Sequence, residues 1–209
     1  MTLYLITSFS VIVAVLLSFF ILQKADKRFL PFILLLYAGL VTEVINYYMA
    51  NNSVSTNIYA LFVVLLITWL FTNWNFFKDP KIGIWLSIIF FCIYIADILF
   101  MPRLNQYTPY FNVISSLAII IMSVLTINKV ILEENKSLVK NSIFLICIAF
   151  IIYFTNLALV EIFYIYGLTQ QSVNFANKVY SIFQVINLIT NLIYALAILW
   201  IPRKNYSLL

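Results

Sequence analysis

The sequence predicts an all-α, polytopic bundle of seven transmembrane helices that forms a single domain over residues 1–209. Three observations carry this prediction: the composition, the length of the apolar segments and the distribution of positive charge. Of the 209 residues, 65% are hydrophobic and 9% are charged, and the mean hydropathy is +1.06. Soluble domains are about half apolar and about a quarter charged. The chain therefore has too little polar surface to be a water-soluble protein.

Seven apolar segments are long enough to be helices that cross a bilayer, which requires about 20 residues each. The stretches between them, in chain order, are QKADKR, NNSVSTN, KDPK, PRLNQYTP, NKVILEENKSLVKN and LTQQSVN. Because these loops are short, consecutive helices are predicted to be antiparallel neighbours. The predicted helices cover residues 3–22, 29–50, 58–77, 82–101, 110–127, 143–166 and 175–200.

The helices are predicted to be continuous, because proline disrupts helix interiors and every proline of this chain lies near the edge of a segment. Carriers that unwind helices in mid-membrane typically have glycine or proline there, and only Gly39 lies well inside a segment. The five prolines are Pro31, Pro80, Pro102, Pro109 and Pro202.

The positive charges predict an N-terminus outside the cell and a cytoplasmic C-terminus. Ten Lys and Arg residues fall on the loops after helices 1, 3 and 5 and on the C-terminal tail, whereas only Arg103 and Lys178 fall on the other side. This is a strong positive-inside bias, and it explains the net charge of +5 without a nucleic-acid partner. The first lysine, Lys24, follows the first apolar segment, so that segment is expected to be an anchor rather than a cleavable signal peptide.

An internal repeat is indicated by similar segments in helices 2–3 and 6–7. LVTEVINYY, which contains Glu43, matches ALVEIFYIY, which contains Glu161, and IYALFVV matches VYSIFQV. Residues 1–77 and 110–200 are then parallel repeats joined by helix 4. The alternative is chance similarity between apolar helices.

Three carboxylates lie within the predicted spans, where ionisable groups are costly and by default mark function or a pair. Glu43 is fifteen residues past Arg28, which places it about 22 Å from the inner face. Asp97 and Glu161 also fall in the outer half. A partner is available nearby for two of them, Arg103 for Asp97 and Lys178 for Glu161.

A polar stripe on helix 7 is predicted to face Glu43. Its members, Tyr180, Gln184, Asn187, Asn191 and Tyr194, recur every three or four residues and so share one helix face. The alternative is that amide and hydroxyl side chains only join helices to one another. The predicted ligand-binding residues are Glu43, Asn46, Glu161, Gln184, Asn187 and Asn191.

No residue pattern predicts a metal site, a cofactor or an active site. The chain has no histidine, which removes histidine metal ligands and imidazole proton relays. Its two cysteines, Cys92 and Cys147, lie in apolar segments and are predicted to pack as small apolar residues. The prediction is a non-enzyme, and an intramembrane enzyme with Glu43 as general base is a further alternative.

The predicted topology is similar to that of microbial rhodopsins and of small sugar carriers with parallel three-helix repeats. Rhodopsins hold retinal on a lysine in the middle of helix 7, whereas Lys178 lies at its outer edge, and the PQ dipeptides of PQ-loop carriers are absent. The chain more closely resembles small, uncharacterised seven-helix bacterial membrane proteins, on Glu43, Tyr47, Asn57 and Tyr59 around the second loop. That resemblance covers most of the chain and implies no activity.

The favoured hypothesis is a receptor or sensory subunit with an outward-facing polar pocket. Since no loop is long enough for a cytoplasmic domain, it would signal through a separate cytoplasmic or membrane protein. The alternatives are a small-molecule or ion carrier, an enzyme, or an assembly scaffold. Abundant Ile, Asn, Lys, Phe and Tyr are typical of an AT-rich bacterial genome, which favours a bacterial inner membrane as the location.

The orientation is testable with reporter fusions. Fusions after Leu22, Phe77 and Leu209 are expected to report a cytoplasmic location, and a fusion near Asn52 an external one, because basic loops stay inside. Alkaline phosphatase activity paired with green fluorescent protein fluorescence at each site measures this. The opposite pattern would contradict the orientation and move the carboxylates to the cytoplasmic leaflet.

Overall fold

The computed structural model describes residues 7, 9–49, 53–100, 108–133, 137–167 and 172–203. Within these residues the protein is helical, with two short 3-10 turns, Lys27–Phe29 and Leu138–Lys140, and one isolated β-bridge between Ala25 and Arg203. The helices are α1 (Val11–Ile21), α2 (Leu30–Tyr48), α3 (Ser53–Asn73), α4 (Pro80–Phe100), α5 (Pro109–Glu133), α6 (Ser142–Ile165) and α7 (Val173–Leu199).

The all-α, multi-pass prediction is confirmed by six helices, α2 to α7, that are long and apolar enough to cross a membrane. Their outward surfaces carry large exposed apolar side chains such as Trp85 and Leu99, as lipid-facing surfaces do. The described part of α1 has 11 residues. Of the predicted first span, 3–22, residues 3–6 and 8 lie outside the described residues, and the described helix is shorter than a membrane span. The seventh span and the orientation therefore stay predictions.

Six of the helices form a ring and the seventh lies outside it. Around the ring each helix packs against the next in the order α1, α2, α3, α5, α6 and α7, and α7 packs against α1. The remaining helix, α4, packs against α3 and α5. One end of the bundle, here the basic end, carries Lys27, Lys81 and Lys140. The opposite end, which carries Glu43 and Glu161, is the carboxylate end.

Both ends of α3 differ from the predicted 58–77. The helix begins at Ser53, inside the segment predicted to be a loop, because polar residues of that segment are buried. Asn57 is 6% exposed, and its side-chain oxygen accepts hydrogen bonds from the backbone N–H and the hydroxyl of Thr108. The helix ends at Asn73 because Asn75 adopts a left-handed conformation, with φ of 54°. The Phe76 N–H then bonds the Phe71 carbonyl, which closes a Schellman motif.

The outer helix α4 is attached to the ring near both of its ends. Near the basic end, a side chain at Gly83 would overlap the Thr72 hydroxyl, so glycine is what lets α4 approach α3 so closely. Near the other end, the Asp97 carboxylate accepts the backbone N–H of Phe111 at 2.8 Å. That N–H lies in the first turn of α5 and has no partner within its own helix, so Asp97 caps a neighbouring helix.

An aromatic cluster fills the basic half of the ring. Phe71 is fully buried and its ring lies 5.6 Å from Trp74 and 6.3 Å from Phe150, while Tyr194 lies 6.0 Å from Phe150 and 5.3 Å from Phe32. Most of these ring pairs are edge-to-face, the favoured geometry. The cluster joins α2, α3, α6 and α7.

Phe71→Ala is expected to lower the free energy of unfolding by about 3 kcal/mol or more, because it opens a cavity among buried rings. Unfolding of the purified protein by sodium dodecyl sulfate measures the change. Phe62→Ala is the control, since Phe62 is on the same helix but 56% exposed and should change stability little. Equal losses in the two variants would contradict the position of the core.

Candidate functional site in the central cavity

A cavity of about 390 Å³ lies inside the ring, lined by residues of α2, α3, α5, α6 and α7, with Thr7 and Val11 contributed near the start of α1. Its polar residues lie toward the carboxylate end. Toward the basic end its walls become apolar, with Leu35 and Ile67, and it reaches Tyr194 of the aromatic cluster. A volume of this size matches small-molecule sites.

All of the residues predicted from the sequence to bind a ligand lie on this cavity. α2 contributes Glu43 and Asn46, α6 contributes Glu161, and α7 contributes Gln184, Asn187 and Asn191. Glu43 and the stripe of α7 thus line one cavity. That they bind a ligand stays a prediction.

Glu161 is held by an amide of the neighbouring helix. Its side chain is 9% exposed, and Oε1 accepts a hydrogen bond of 2.8 Å from Nδ2 of Asn112 in α5. Among the described residues no ion pair joins Glu161 to Lys178, which lies exposed on α7. Glu161 therefore bonds an amide of the neighbouring helix, and the pairing with Lys178 that the sequence allowed is not formed among the described residues.

Glu43 shares its part of the cavity with two tyrosines. The hydroxyl groups of Tyr59 and Tyr153 lie close enough to its carboxyl group to interact electrostatically. A Cβ atom at Gly39 would lie 3.0 Å from the Tyr59 hydroxyl oxygen, closer than such atoms normally pack. Gly39, one turn before Glu43, therefore makes room for that hydroxyl at the cavity.

Two of the predicted amides also join helices. The Asn46 side chain bonds Ser55 of α3, and Asn191 is 6% exposed and donates to the Ser10 hydroxyl at 2.8 Å, tying α7 to the residue before α1. Asn191 and Asn46 therefore fulfil the helix-joining role proposed for such residues as well as lining the cavity. Gln184 and Asn187 line the cavity, and no interhelical hydrogen bond of this kind is described for either of them.

Asp97 lies apart from the cavity. It is 4% exposed and is used as the cap of α5 described above. Its predicted partner, Arg103, lies outside the described residues. Of the three intramembrane carboxylates, only Glu43 and Glu161 line the cavity.

Sequence reasoning missed Asn112, Tyr59 and Tyr153 as site residues. The signal for Asn112 was its position three residues before Ser115, which also lines the cavity. The signal for Tyr153 was helical spacing from Glu161, through Leu157, on one face of α6. The signal for Tyr59 was the predicted repeat, which aligns it with Tyr180 of the α7 stripe; its own helix carries no strongly polar stripe.

The predicted repeat relates positions that meet at the cavity. It aligns Glu43 with Glu161 and Tyr59 with Tyr180, and all four line the cavity. Tyr59 lies in electrostatic range of Glu43, and Tyr180 in range of Glu161. The ring likewise consists of α1–α3 and α5–α7, with α4 outside. The repeat itself stays a prediction.

Within the described part of the chain, no group of three or more His, Cys, Asp or Glu residues is placed to hold a metal ion. What the site offers instead is two carboxylates, several amides and tyrosine hydroxyls above an apolar floor. Such an arrangement can bind and orient a small molecule.

No protein-family model, curated protein or solved structure matched the chain in three comparisons. The resemblance to small seven-helix bacterial membrane proteins is not tested by them and stays a prediction.

The bond between Asn112 and Glu161 is testable with a double-mutant cycle. Asn112→Ala and Glu161→Ala are each expected to alter stability, and their effects to be non-additive by about 1 kcal/mol or more, because each residue is the other's partner. Equilibrium unfolding in sodium dodecyl sulfate measures the coupling. Ser123→Ala, farther along α5, should be additive with Glu161→Ala, and additivity in both pairs would contradict the bond.

Proposed function

We propose that this protein is a multi-pass membrane receptor or sensory subunit whose central cavity takes a small ligand from the outside and which signals through a separate protein. The observation that carries this proposal is the division of the ring into two halves. Polar residues surround the cavity near the carboxylate end, and buried aromatic rings fill the basic end. A ligand could enter the first half without a polar route through the second.

The helix connections support coupling between a ligand and the bundle. Glu43 on α2, Tyr59 on α3, Glu161 on α6 and Gln184 on α7 all border the cavity. The aromatic cluster joins these same helices farther toward the basic end. A ligand that draws these helices together near the carboxylate end therefore acts on helices that are packed against one another near the basic end. A ligand shifts the equilibrium between two helix arrangements only by as much as it binds one of them more tightly than the other.

A carrier is the second candidate, and one observation favours it. Asn187 and Asn191 continue the polar face of α7 below Gln184 toward Tyr194, which lies in the aromatic cluster. If the rings of that cluster separated, these amides would begin a route to the other side. Alternating access of this kind is how secondary carriers work.

Cysteine accessibility separates the two candidates without knowledge of the ligand. In a background carrying Cys92→Ser and Cys147→Ala, Gln184→Cys and Asn187→Cys are expected to react with a membrane-impermeant methanethiosulfonate reagent added outside intact cells. Thiolates form only where water reaches the side chain. Ile189→Cys is the control, because Ile189 is on the same helix but 44% exposed on the bundle surface, where lipid is expected.

The same variants in inverted membrane vesicles give the second half of the test. A receptor predicts little reaction when the reagent is added from the cytoplasmic side, whereas a carrier predicts reaction from both sides. Reaction from the cytoplasmic side alone would overturn the outward-facing cavity, and reaction from neither side would overturn a water-filled one. Mass spectrometry of the purified protein counts the modified thiols.

A further inference from the structure

The charge on the walls of the cavity selects among ligand classes. Two carboxylates, Glu43 and Glu161, line it, and no Lys or Arg appears among the lining residues that the structure describes. A carboxylate removed from water and kept ionised needs a compensating charge or several hydrogen bonds. Asn112 supplies one such bond to Glu161. A cation bound in the cavity beside either carboxylate would compensate its charge.

The aromatic walls point to the same ligand class. Tyr153 lies in electrostatic range of both Glu43 and Glu161, and its ring lies 5.7 Å from that of Phe183, which also lines the cavity. Tyr59 and Tyr180 also line the cavity, in electrostatic range of Glu43 and of Glu161 respectively. Aromatic faces attract ammonium groups through their quadrupoles, and more strongly where water is excluded.

The apolar walls toward the basic end favour a ligand that has an apolar portion. Toward the basic end the cavity is bordered by Leu35, Leu36, Val63, Val64 and Ile67. A bare inorganic cation would leave these walls facing empty space or water. A cavity of about 390 Å³ also holds far more than a single ion, and apolar walls with few polar groups are typical of organic ligand sites.

We propose that the central cavity binds a small organic cation, with its ammonium group between Glu43, Glu161 and Tyr153 and its apolar body on the floor of Leu35, Val64 and Ile67. This inference rests on the proposed function in that it names the ligand class of the same cavity. It holds equally if the protein is a carrier. The geometry assigns the carboxylates a charge-pairing role, with the tyrosine rings as secondary contacts.

Three probes of nearly equal size test the ligand class on the full-length protein in lipid nanodiscs. They are 2-phenylethylamine, which is cationic at neutral pH, 2-phenylethanol, which is neutral, and phenylacetate, which is anionic. Isothermal titration calorimetry is expected to show that the amine binds about tenfold or more tightly than the alcohol, and that phenylacetate does not bind, because an unpaired anion would meet two carboxylates.

Matched variants locate the binding. Glu43→Gln and Glu161→Gln are each expected to weaken the amine about tenfold or more while leaving the alcohol nearly unchanged, since only the charge pair is removed. Asp79→Asn is the control, because it removes the same charge from an exposed position between α3 and α4 that does not line the cavity.

The outcomes distinguish this inference from the proposed function. Alcohol binding as tight as amine binding, amine binding unaffected by both glutamate variants, or no binding of the amine at millimolar concentration overturns the cation site. Thiol accessibility from both membrane sides would overturn the receptor in favour of a carrier and leave the cation site standing. The circular dichroism spectrum of each variant must match that of the parent, and Asp79→Asn must retain amine binding.

Discussion

The structure depends on one constraint: a polar group placed within the hydrocarbon layer must find its partner inside the protein. The helices pair the backbone groups, and many buried polar side chains then bond to one another or to a neighbouring backbone; six buried side-chain atoms among the described residues, Asp97 Oδ1 among them, have no such partner. Asp97 shows how far this goes, since its carboxylate caps the first turn of a neighbouring helix rather than meeting solvent. Asn57 does the same for Thr108. These bonds connect α3, α4 and α5 near the carboxylate end of the bundle.

The same constraint separates the two halves of the ring. In the basic half the interior is filled by aromatic rings that pack against one another, those of Phe32, Phe71, Phe150 and Tyr194. In the carboxylate half, polar side chains line the interior and a cavity remains. Filled cores stabilise a bundle, whereas a polar cavity forgoes packing that apolar side chains could supply. The proposals concern a ligand because the bundle keeps such a cavity between packed helices.

Asp97 and Glu43 show why burial of a carboxylate does not by itself indicate a site. Both were conspicuous as acidic residues in apolar segments. Asp97 acts as a structural cap, and a variant there would disturb the attachment of α4. Glu43 faces a cavity together with a second carboxylate and tyrosines that belong to three other helices. The distinction lies in what surrounds each group, and that is a property of the bundle rather than of the helix.

The sequence by itself predicted the helical, multi-pass class from the length of the apolar segments, and the polar stripe of α7 from its three-to-four-residue spacing. Glu43, Asn46 and Glu161 were predicted as polar residues within apolar spans, and all six predicted residues line the cavity. Only the tertiary structure decided that α4 leaves the ring, that Asn112 rather than Lys178 holds Glu161, and that the Tyr59 hydroxyl lies against Gly39, one turn before Glu43. These contacts join residues far apart in the chain, and they depend on how helices rotate and cross, which helical periodicity does not specify. Even the start of α3 at Ser53 depended on such a contact, since Asn57 becomes a favourable buried residue only once Thr108 is beside it.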